Sequence, residues 1–311
     1  MLTVLKTALE VGLIYGLVAL ALFISFSILN IAALSPDGCF TLGCAVGAML
    51  TIAGHPLLAL PAAMAAGMLS GFITAFLQTR RGGESSLAGI SSNSGLYTII
   101  LAVMGFSSNV SITGRDTVFS LFKALTGGSQ WSTLVLLALL LGVIAVVLIR
   151  FFGTSLGLSI RATGDSLDMV SASSINPKVT ITIGLSLANA LTAHAGSLIG
   201  EYNKISDLNL GTGMVTIALA SLIIGEVFAG RRGGSGKRVV CVVLGSIVYR
   251  LIIALALRLN ISAEYFMLVS AVIVAGAIAA PNMKDYVHLA KIRSNARKLR
   301  ALSGKGDETD A

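Results

Sequence analysis

The sequence predicts an all-α polytopic membrane protein, and its composition and apolar patterning carry that prediction. Of the 311 residues, 55% are hydrophobic and only 12% are charged, whereas a soluble globular domain carries about 25% charged residues. The apolar residues come in long runs, and about 20 of them in a row are enough to span the hydrocarbon core as a helix.

Nine hydrophobic segments follow one another, so we expect about nine transmembrane segments, within a range of eight to ten. They cover residues 7–30, 40–54, 57–79, 86–106, 131–152, 178–200, 211–230, 238–258 and 264–281. The second is short and follows Ser35-Pro36-Asp37-Gly38, so we expect it to be broken or half-inserted. Non-helical backbone at membrane depth is tolerated only against protein or a water-filled cavity. Residues 35–43 are therefore predicted to line a transport route, and whether 40–54 crosses decides the side of the N-terminus.

Lysine and arginine predict the orientation. The loops 80–85, 150–178 and 231–238 and the chain after residue 281 hold 16 of the 22 basic residues. The positive-inside rule places them, and the C-terminus, in the cytoplasm. This distribution accounts for the net charge of +8 without a nucleic-acid partner.

Two regions follow: a transmembrane domain over 1–282 and a basic cytoplasmic tail over 283–311. The tail is either a topology anchor or a short helix on the anionic membrane surface.

The sequence gives little support for two sources of energy, ATP hydrolysis by this chain and coupling to protons. No G-x-x-x-x-G-K-[ST] loop occurs, which excludes ATP hydrolysis by the P-loop mechanism. Proton-coupled carriers usually place acidic or histidine residues in their spans, and only His194, Glu226 and Arg250 qualify, with Asp37 if its segment is buried. We expect Glu226 to meet cytoplasmic loops and Arg250 to reach the outer face or helix-end carbonyls, rather than the two pairing. No metal site is expected, because the three cysteines fit buried apolar filler.

Polar and small residues at membrane depth are candidates for a translocation pathway, since they permit close backbone approach and water contact. The candidates are Asp37, Gly38, Thr41, Gly43, Ser92, Asn93 and Asn189. Three alternatives stay open: a membrane-edge turn for the first four, a helix cap for the serine-asparagine cluster, and an interhelical hydrogen bond for Asn189.

Four blocks of sequence resemble one known family when taken in order. They are ILNIAALSPDGCFTLGCAVGA (28–48), LAGISSNSGLYTIILAVMG (87–105), IRATGDSLDMVSASSIN (160–176) and NLGTGMVTIALASLIIGEVFAG (209–230). They are similar to the permease subunits of branched-chain amino acid and ribose type ABC importers, closest to a subgroup with proposed tryptophan and tyrosine importers.

The resemblance implies a multi-pass permease of the bacterial inner membrane that carries an amino acid or similarly small solute. It implies three protein partners: a second permease copy, a cytoplasmic ATPase dimer that holds the ATP and Mg²⁺, and an extracytoplasmic substrate-binding protein. A secondary, ion-coupled carrier without an ATPase is the alternative.

The resemblance also maps the family's cytoplasmic coupling segment onto residues 160–177. Asp165 or Ser166 can cap a short helix over about 167–173, which would present apolar side chains to the ATPase; an ordinary surface loop is the alternative. The candidate contact residues are Arg161, Gly164, Asp165, Ser166, Leu167, Met169, Val170, Ile175 and Asn176. This chain departs from the family in having Ser166-Leu167 where Asn-Pro is common, and Ser174 where glycine is common.

Three cations on the predicted outer side, Arg115, Lys123 and Lys204, are candidates for docking a binding protein through charge complementarity. Isolated solvated charges are the alternative.

Overall fold

The computed structural model describes residues 2–81, 85–230 and 234–258, with the isolated positions 268, 271 and 272. The expected ninth segment, apart from those isolated positions, and the basic tail lie outside the described residues. The other eight hydrophobic segments are each helical.

The described chain is an assembly of helices with one small β-ribbon. The helices are α1 Leu2–Leu22, which continues as a π-helix over Phe23–Ile28, α2 Pro36–Ile52, α3 Pro56–Arg81, α4 Ser85–Val103, α5 Val118–Leu125, α6 Ser132–Phe152, α7 Ser155–Asp165, α8 Leu167–Ala172, α9 Pro177–Asn203, α10 Met214–Ala229 and α11 Ser235–Arg258. The strands β1 Asn109–Ser111 and β2 Ile205–Asp207 pair antiparallel.

Five of the described helices are long and apolar enough to cross a membrane. They cover Thr3–Ile28, Pro56–Thr79, Ser85–Val103, Ser132–Phe152 and Gly236–Ala256. Helices α2 and α10 are apolar but shorter. The protein is therefore a membrane protein with several apolar helices, while the number nine stays a prediction.

Helix α9 forms the centre of the bundle, packed against α1, α2 and α3. It is buried from Gly184 to Glu201 apart from Leu187. Its many polar side chains in this stretch therefore contact other parts of the protein and not lipid. The contact with α2 depends on two glycines. A Cβ on Gly43 would overlap the carbonyl of Ala193, and one on Gly196 would overlap the carbonyl of Phe40.

The bundle has two distinct ends, which we call the α7–α8 end and the β-ribbon end. Helices α7 and α8 connect α6 to the start of α9, whereas β2 follows the end of α9. Helix α1 runs from the β-ribbon end, where Tyr202 donates a 2.9 Å hydrogen bond to Glu10. It finishes at the α7–α8 end, where Ile28 contacts Gly164.

The expected break in the second segment lies elsewhere than predicted. Residues 36–43 are helical, because α2 begins at Pro36, a favourable first residue for a helix, and continues unbroken to Ile52. The irregular backbone is the preceding stretch, Leu29–Ser35, in which Asn30 has a φ of 55°. The prediction of non-helical backbone over 35–43 was therefore wrong by several residues.

Helix α2 starts halfway through the bundle. Ser35, the residue before α2, exchanges hydrogen bonds of 3.1 and 3.3 Å with Asn189. Asn189 lies near the midpoint of the 27-residue α9, about 18 Å from Pro177 at 1.5 Å per residue. From this level α2 runs to the β-ribbon end, where Thr51 contacts Glu201.

Glu226 and Arg250 do not pair, as expected. Glu226 accepts a 3.1 Å hydrogen bond from Arg238 and another from Ser27, which ties α10, α11 and the π-helical turn together near the α7–α8 end. The Arg250 guanidinium instead lies 3.8 Å above the ring of Tyr15. Arg250 was expected to reach toward the outer face or helix-end carbonyls. It lines a cavity with Thr3 and Thr7 near the start of α1, at the β-ribbon end, so its reach toward the outer face stays a prediction.

Candidate functional site

Asp37 lies where α2 and α10 both begin. Its carboxylate accepts hydrogen bonds from the backbone N–H groups of Gly213, at 3.2 Å, and Val215, at 2.9 Å, in the first turn of α10. A negative charge is favourable there because the first N–H groups of a helix are unpaired and the helix dipole is positive at this end. Thr41 adds a second link, since its hydroxyl accepts from the N–H of Gly211 at 3.1 Å.

Helix α10 runs from Asp37 in the direction opposite to α2. Its last turn carries Glu226, which is bonded to Arg238 and to Ser27 near the α7–α8 end. The two short helices therefore begin at the same depth and diverge toward opposite ends of the bundle. The asparagine, aspartate and threonine around their starts form a polar layer between the two ends of the bundle.

A cavity of about 450 Å³ lies beside this junction. It is bounded by α2, by α4 and by the connection between β2 and α10, and its lining includes Asp37, Gly38, Thr41, Asn93, Ser94, Tyr97, Asn209 and Thr212. Gly38 leaves room for the side chain of Asn93, which a Cβ at this position would overlap. Hydroxyl, amide and carboxylate groups thus share one space with aromatic and aliphatic side chains, which is a suitable lining for a small amphipathic solute.

Four of the seven pathway candidates, Asp37, Gly38, Thr41 and Asn93, line this cavity. The other three do not. Gly43 lies in the α2–α9 contact, Asn189 bonds to Ser35, and Ser92 is buried without a hydrogen-bond partner among the described residues.

Sequence reasoning did not identify Tyr97, Asn209 and Thr212 as part of the lining. Each lies in one of the blocks that carry the family resemblance. Asn209 and Thr212 also lie close to glycines in the connection between β2 and α10, whereas Tyr97 lies inside α4.

The candidate coupling segment forms two helices. The predicted short helix is present as α8, Leu167–Ala172, and the hydroxyl of Ser166 caps it by accepting from the N–H of Met169 at 3.3 Å. Of the two possible capping residues, the structure therefore uses Ser166, while Asp165 ends α7. Helix α7, which carries Arg161 and Gly164, was not predicted.

The apolar residues of α8 divide into two sets. Leu167 and Met169 are 53% and 60% exposed, and they are free to contact another protein. Val170 is only 2% exposed, so the expectation that it presents an apolar contact was wrong. It anchors α8 to the rest of the chain, because a short helix needs one buried side chain to hold its orientation.

The coupling segment is fixed to the bundle at both ends. Gly164 lies so close to Ile28 that a Cβ there would overlap the Ile28 carbonyl, at the end of the π-helical turn. Asn176 begins α9, and its side chain accepts from the N–H of Lys178 at 3.0 Å. Between α8 and α9, half-buried Ile175 follows Ser174, which has a left-handed φ of 60°.

The three docking candidates are all exposed at the β-ribbon end. Lys204 directly precedes β2, and its carbonyl accepts a 2.9 Å hydrogen bond from Ile112, close to Arg115 in sequence. Lys123 lies in the last turn of α5. Buried Glu201 positions this helix, because its carboxylate accepts from the N–H of Val118 at 2.8 Å.

Comparison with known proteins places the chain in a family. A sequence profile for the permease component of branched-chain amino acid transport systems matches residues 4–278, and the chain belongs to that family. It is a transport permease rather than an enzyme.

Two relatives align over nearly the whole chain. One is the tyrosine transport system permease protein of Clostridioides difficile (strain R20291), 29% identical over 295 residues, which cover 94% of this chain and 95% of the relative. The other is an uncharacterized protein of Rickettsia prowazekii (strain Madrid E), 29% identical over 285 residues, covering 91% and 99%. No solved structure matches significantly.

Proposed function

We propose that this chain is the membrane-spanning subunit of a binding-protein-dependent ABC importer for an amino acid, and that the polar cavity at Asp37 belongs to its translocation route. The observation that carries the proposal is the junction of α2 and α10, where two short helices start at one depth beside a cavity of about 450 Å³. Broken helices around a polar space near the bilayer midplane are a common way to build a transport site.

An amino acid fits the chemistry of this cavity. The carboxylate of Asp37 can attract an ammonium group, and the hydroxyl and amide groups of Tyr97 and Asn93 can bond to a carboxylate. Tyr97 also offers an aromatic face for an aromatic side chain. The relative from Clostridioides difficile bears the name of a tyrosine transport permease, which supports an aromatic amino acid as the first solute to test.

The segment 160–177 would transmit work from a partner ATPase. Exposed Leu167 and Met169 give α8 an apolar surface, and Gly164 contacts the end of α1 through Ile28. Only the irregular stretch 29–35 separates Ile28 from α2 and the cavity. A movement of α7 could therefore reach Asp37 through one short connection.

Reconstitution tests the proposal directly. The chain would be placed in proteoliposomes with a candidate ATPase and binding protein, preferably those encoded by neighbouring reading frames, and uptake of labelled tyrosine would be measured. We expect uptake that requires ATP and the binding protein. Uptake driven by an ion gradient without an ATPase would instead establish a secondary carrier.

A further inference from the structure

A groove lies between α3 and α9, closed on one side by Phe151 of α6. Its volume is about 950 Å³, and aromatic and aliphatic side chains dominate its lining. Phe72, Met68 and Leu69 of α3 are 52%, 48% and 65% exposed. The groove is thus open and apolar, lies on the surface of the bundle, and is distinct from the polar cavity at Asp37.

The groove runs along α3 and α9 for about the thickness of one leaflet. On α3 it extends from Thr79 to Ala65, and on α9 from Asn176 to Leu187. At 1.5 Å per residue these stretches are about 21 and about 17 Å long. Half of the hydrocarbon core is about 15 Å thick, so the groove starts at the α7–α8 end and reaches about the bilayer midplane.

The polar groups are concentrated at the α7–α8 end of the groove. Thr79 and Thr182 bond to their own helices, donating to the carbonyls of Ala75 and Lys178. The ammonium group of Lys178 has no carboxylate within 4.0 Å among the described residues. A cation therefore stands at the mouth of an apolar groove, at the end of the bundle that the distribution of basic residues predicts to be cytoplasmic.

We propose that this groove binds an anionic phospholipid of the cytoplasmic leaflet, with one acyl chain along Phe72 and Phe76 and the phosphate on Lys178. The groove matches such a lipid in three respects: length, apolar wall and the sign of the charge at its mouth. Basic pockets between membrane helices on the cytoplasmic side are a known mode of anionic lipid recognition. The inference depends on insertion into a membrane and not on the transport proposal.

Bound lipid would also touch the end of the coupling segment. Asn176 lines the groove and caps α9 through the N–H of Lys178. Occupancy of the groove would therefore stiffen the junction between the coupling segment and α9. This gives the lipid a place from which to influence the segment 160–177.

Two pairs of variants test the site in the full chain. Lys178→Gln removes the cation at the mouth, and Lys123→Gln, an exposed lysine at the opposite end, is its control. Ala65→Phe fills the inner end of the groove at an exposed position, and Ala138→Phe places the same ring on an exposed position of α6 outside the groove. Each variant would be purified in mild detergent, checked by size exclusion, and offered dioleoylphosphatidylglycerol or dioleoylphosphatidylcholine. Bound lipid would be counted by native mass spectrometry.

We expect the unmodified chain to retain phosphatidylglycerol over phosphatidylcholine. Lys178→Gln should weaken that retention by about fivefold, the effect of one basic residue near an anionic lipid, and Ala65→Phe should abolish binding of either lipid. Both controls should behave as the unmodified chain. Equal retention by all variants would overturn the proposal. So would a change from dimer to monomer in Ala65→Phe without lipid loss, since the groove would then be a contact between two copies of the chain.

Discussion

Asp37 is the residue of the candidate pathway that links the starts of two helices, α2 and α10. Its carboxylate bonds to two N–H groups that lie 176 and 178 positions further along the chain, and so it joins the starts of α2 and α10. Asp37 is half-buried, and the sequence could indicate only that a carboxylate follows Pro36 inside an apolar stretch. The partner could not be predicted, because nothing in a single sequence specifies which distant helix start will meet a given carboxylate.

Replacing Asp37 with alanine should destabilise the protein by about 1–2 kcal/mol, because the first N–H groups of α10 lose their capping partner. Asp37→Asn should cost less, since an amide oxygen can still accept one of the bonds. Thermal unfolding in detergent measures both. Asp168→Ala on the exposed face of α8 is the control, and an equal loss of stability there would contradict the assignment of Asp37.

Ser174 has a strained backbone conformation at a position where this chain departs from the family resemblance. The resemblance implies glycine at this position. The structure shows a φ of 60°, a conformation that costs an L-residue about 1–2 kcal/mol and glycine little. The departure was visible in the sequence, but its physical consequence required the φ angle.

Ser174→Gly should therefore stabilise the protein by up to about 1 kcal/mol, since relief of strain exceeds the added entropy of the unfolded chain. Ser173→Gly is the matched control, because Ser173 has an ordinary φ of −88°. It should give no gain. Thermal unfolding of the two variants side by side decides the matter, and a gain in both would rule out the strain argument.

At the scale of elements, the six residues of α8 include both exposed apolar side chains, Leu167 and Met169, and a buried one that anchors the helix, Val170. The capping signal at Ser166 made this helix predictable. Helix α7 was not predictable, because its sequence SLGLSIRATGD lacks a long apolar run, and its packing against Ile28 appears only in the folded chain. The inward direction of Val170 likewise depends on how α8 packs against α7 and α9.

Met169→Ala should reduce ATPase-coupled uptake severalfold and leave stability within about 0.5 kcal/mol, as is usual for exposed positions. Val170→Ala should instead lower the free energy of unfolding by about 1–2 kcal/mol, because it leaves a small cavity. Proteoliposome uptake and thermal unfolding, measured on both variants, separate contact from anchoring. Normal uptake by Met169→Ala together with Leu167→Ala would refute the coupling role of α8.

At the scale of the whole molecule, eight hydrophobic segments became helices because their lengths and apolar content suit no other state in a membrane. Their mutual arrangement was beyond the sequence. Tyr97, Asn209 and Asp37 meet only because α2, α4 and the start of α10 surround one space. The central place of α9 follows from small residues such as Gly196 that let neighbouring backbones approach.

Gly43→Ala should destabilise the protein by about 1–3 kcal/mol, because the added methyl group would separate α2 from α9. Gly95→Ala is the control: outside its own helix, no atom of the described residues lies within 4 Å of the position of its Cβ. Alanine raises helix stability by about 0.5–1 kcal/mol. The two variants should shift the thermal unfolding midpoint in opposite directions. Shifts of the same sign would contradict the packing of α2 on α9.

The shared starting level of α2 and α10 has an electrical consequence. Two helices of 17 and 16 residues, leading from Asp37 to opposite ends, place that carboxylate about halfway through any voltage across the bilayer. A full crossing by one elementary charge is worth about 2.3 kcal/mol per 100 mV. A singly charged solute that paused at Asp37 would therefore meet that work in two steps of about 1 kcal/mol each, one on either side of the carboxylate.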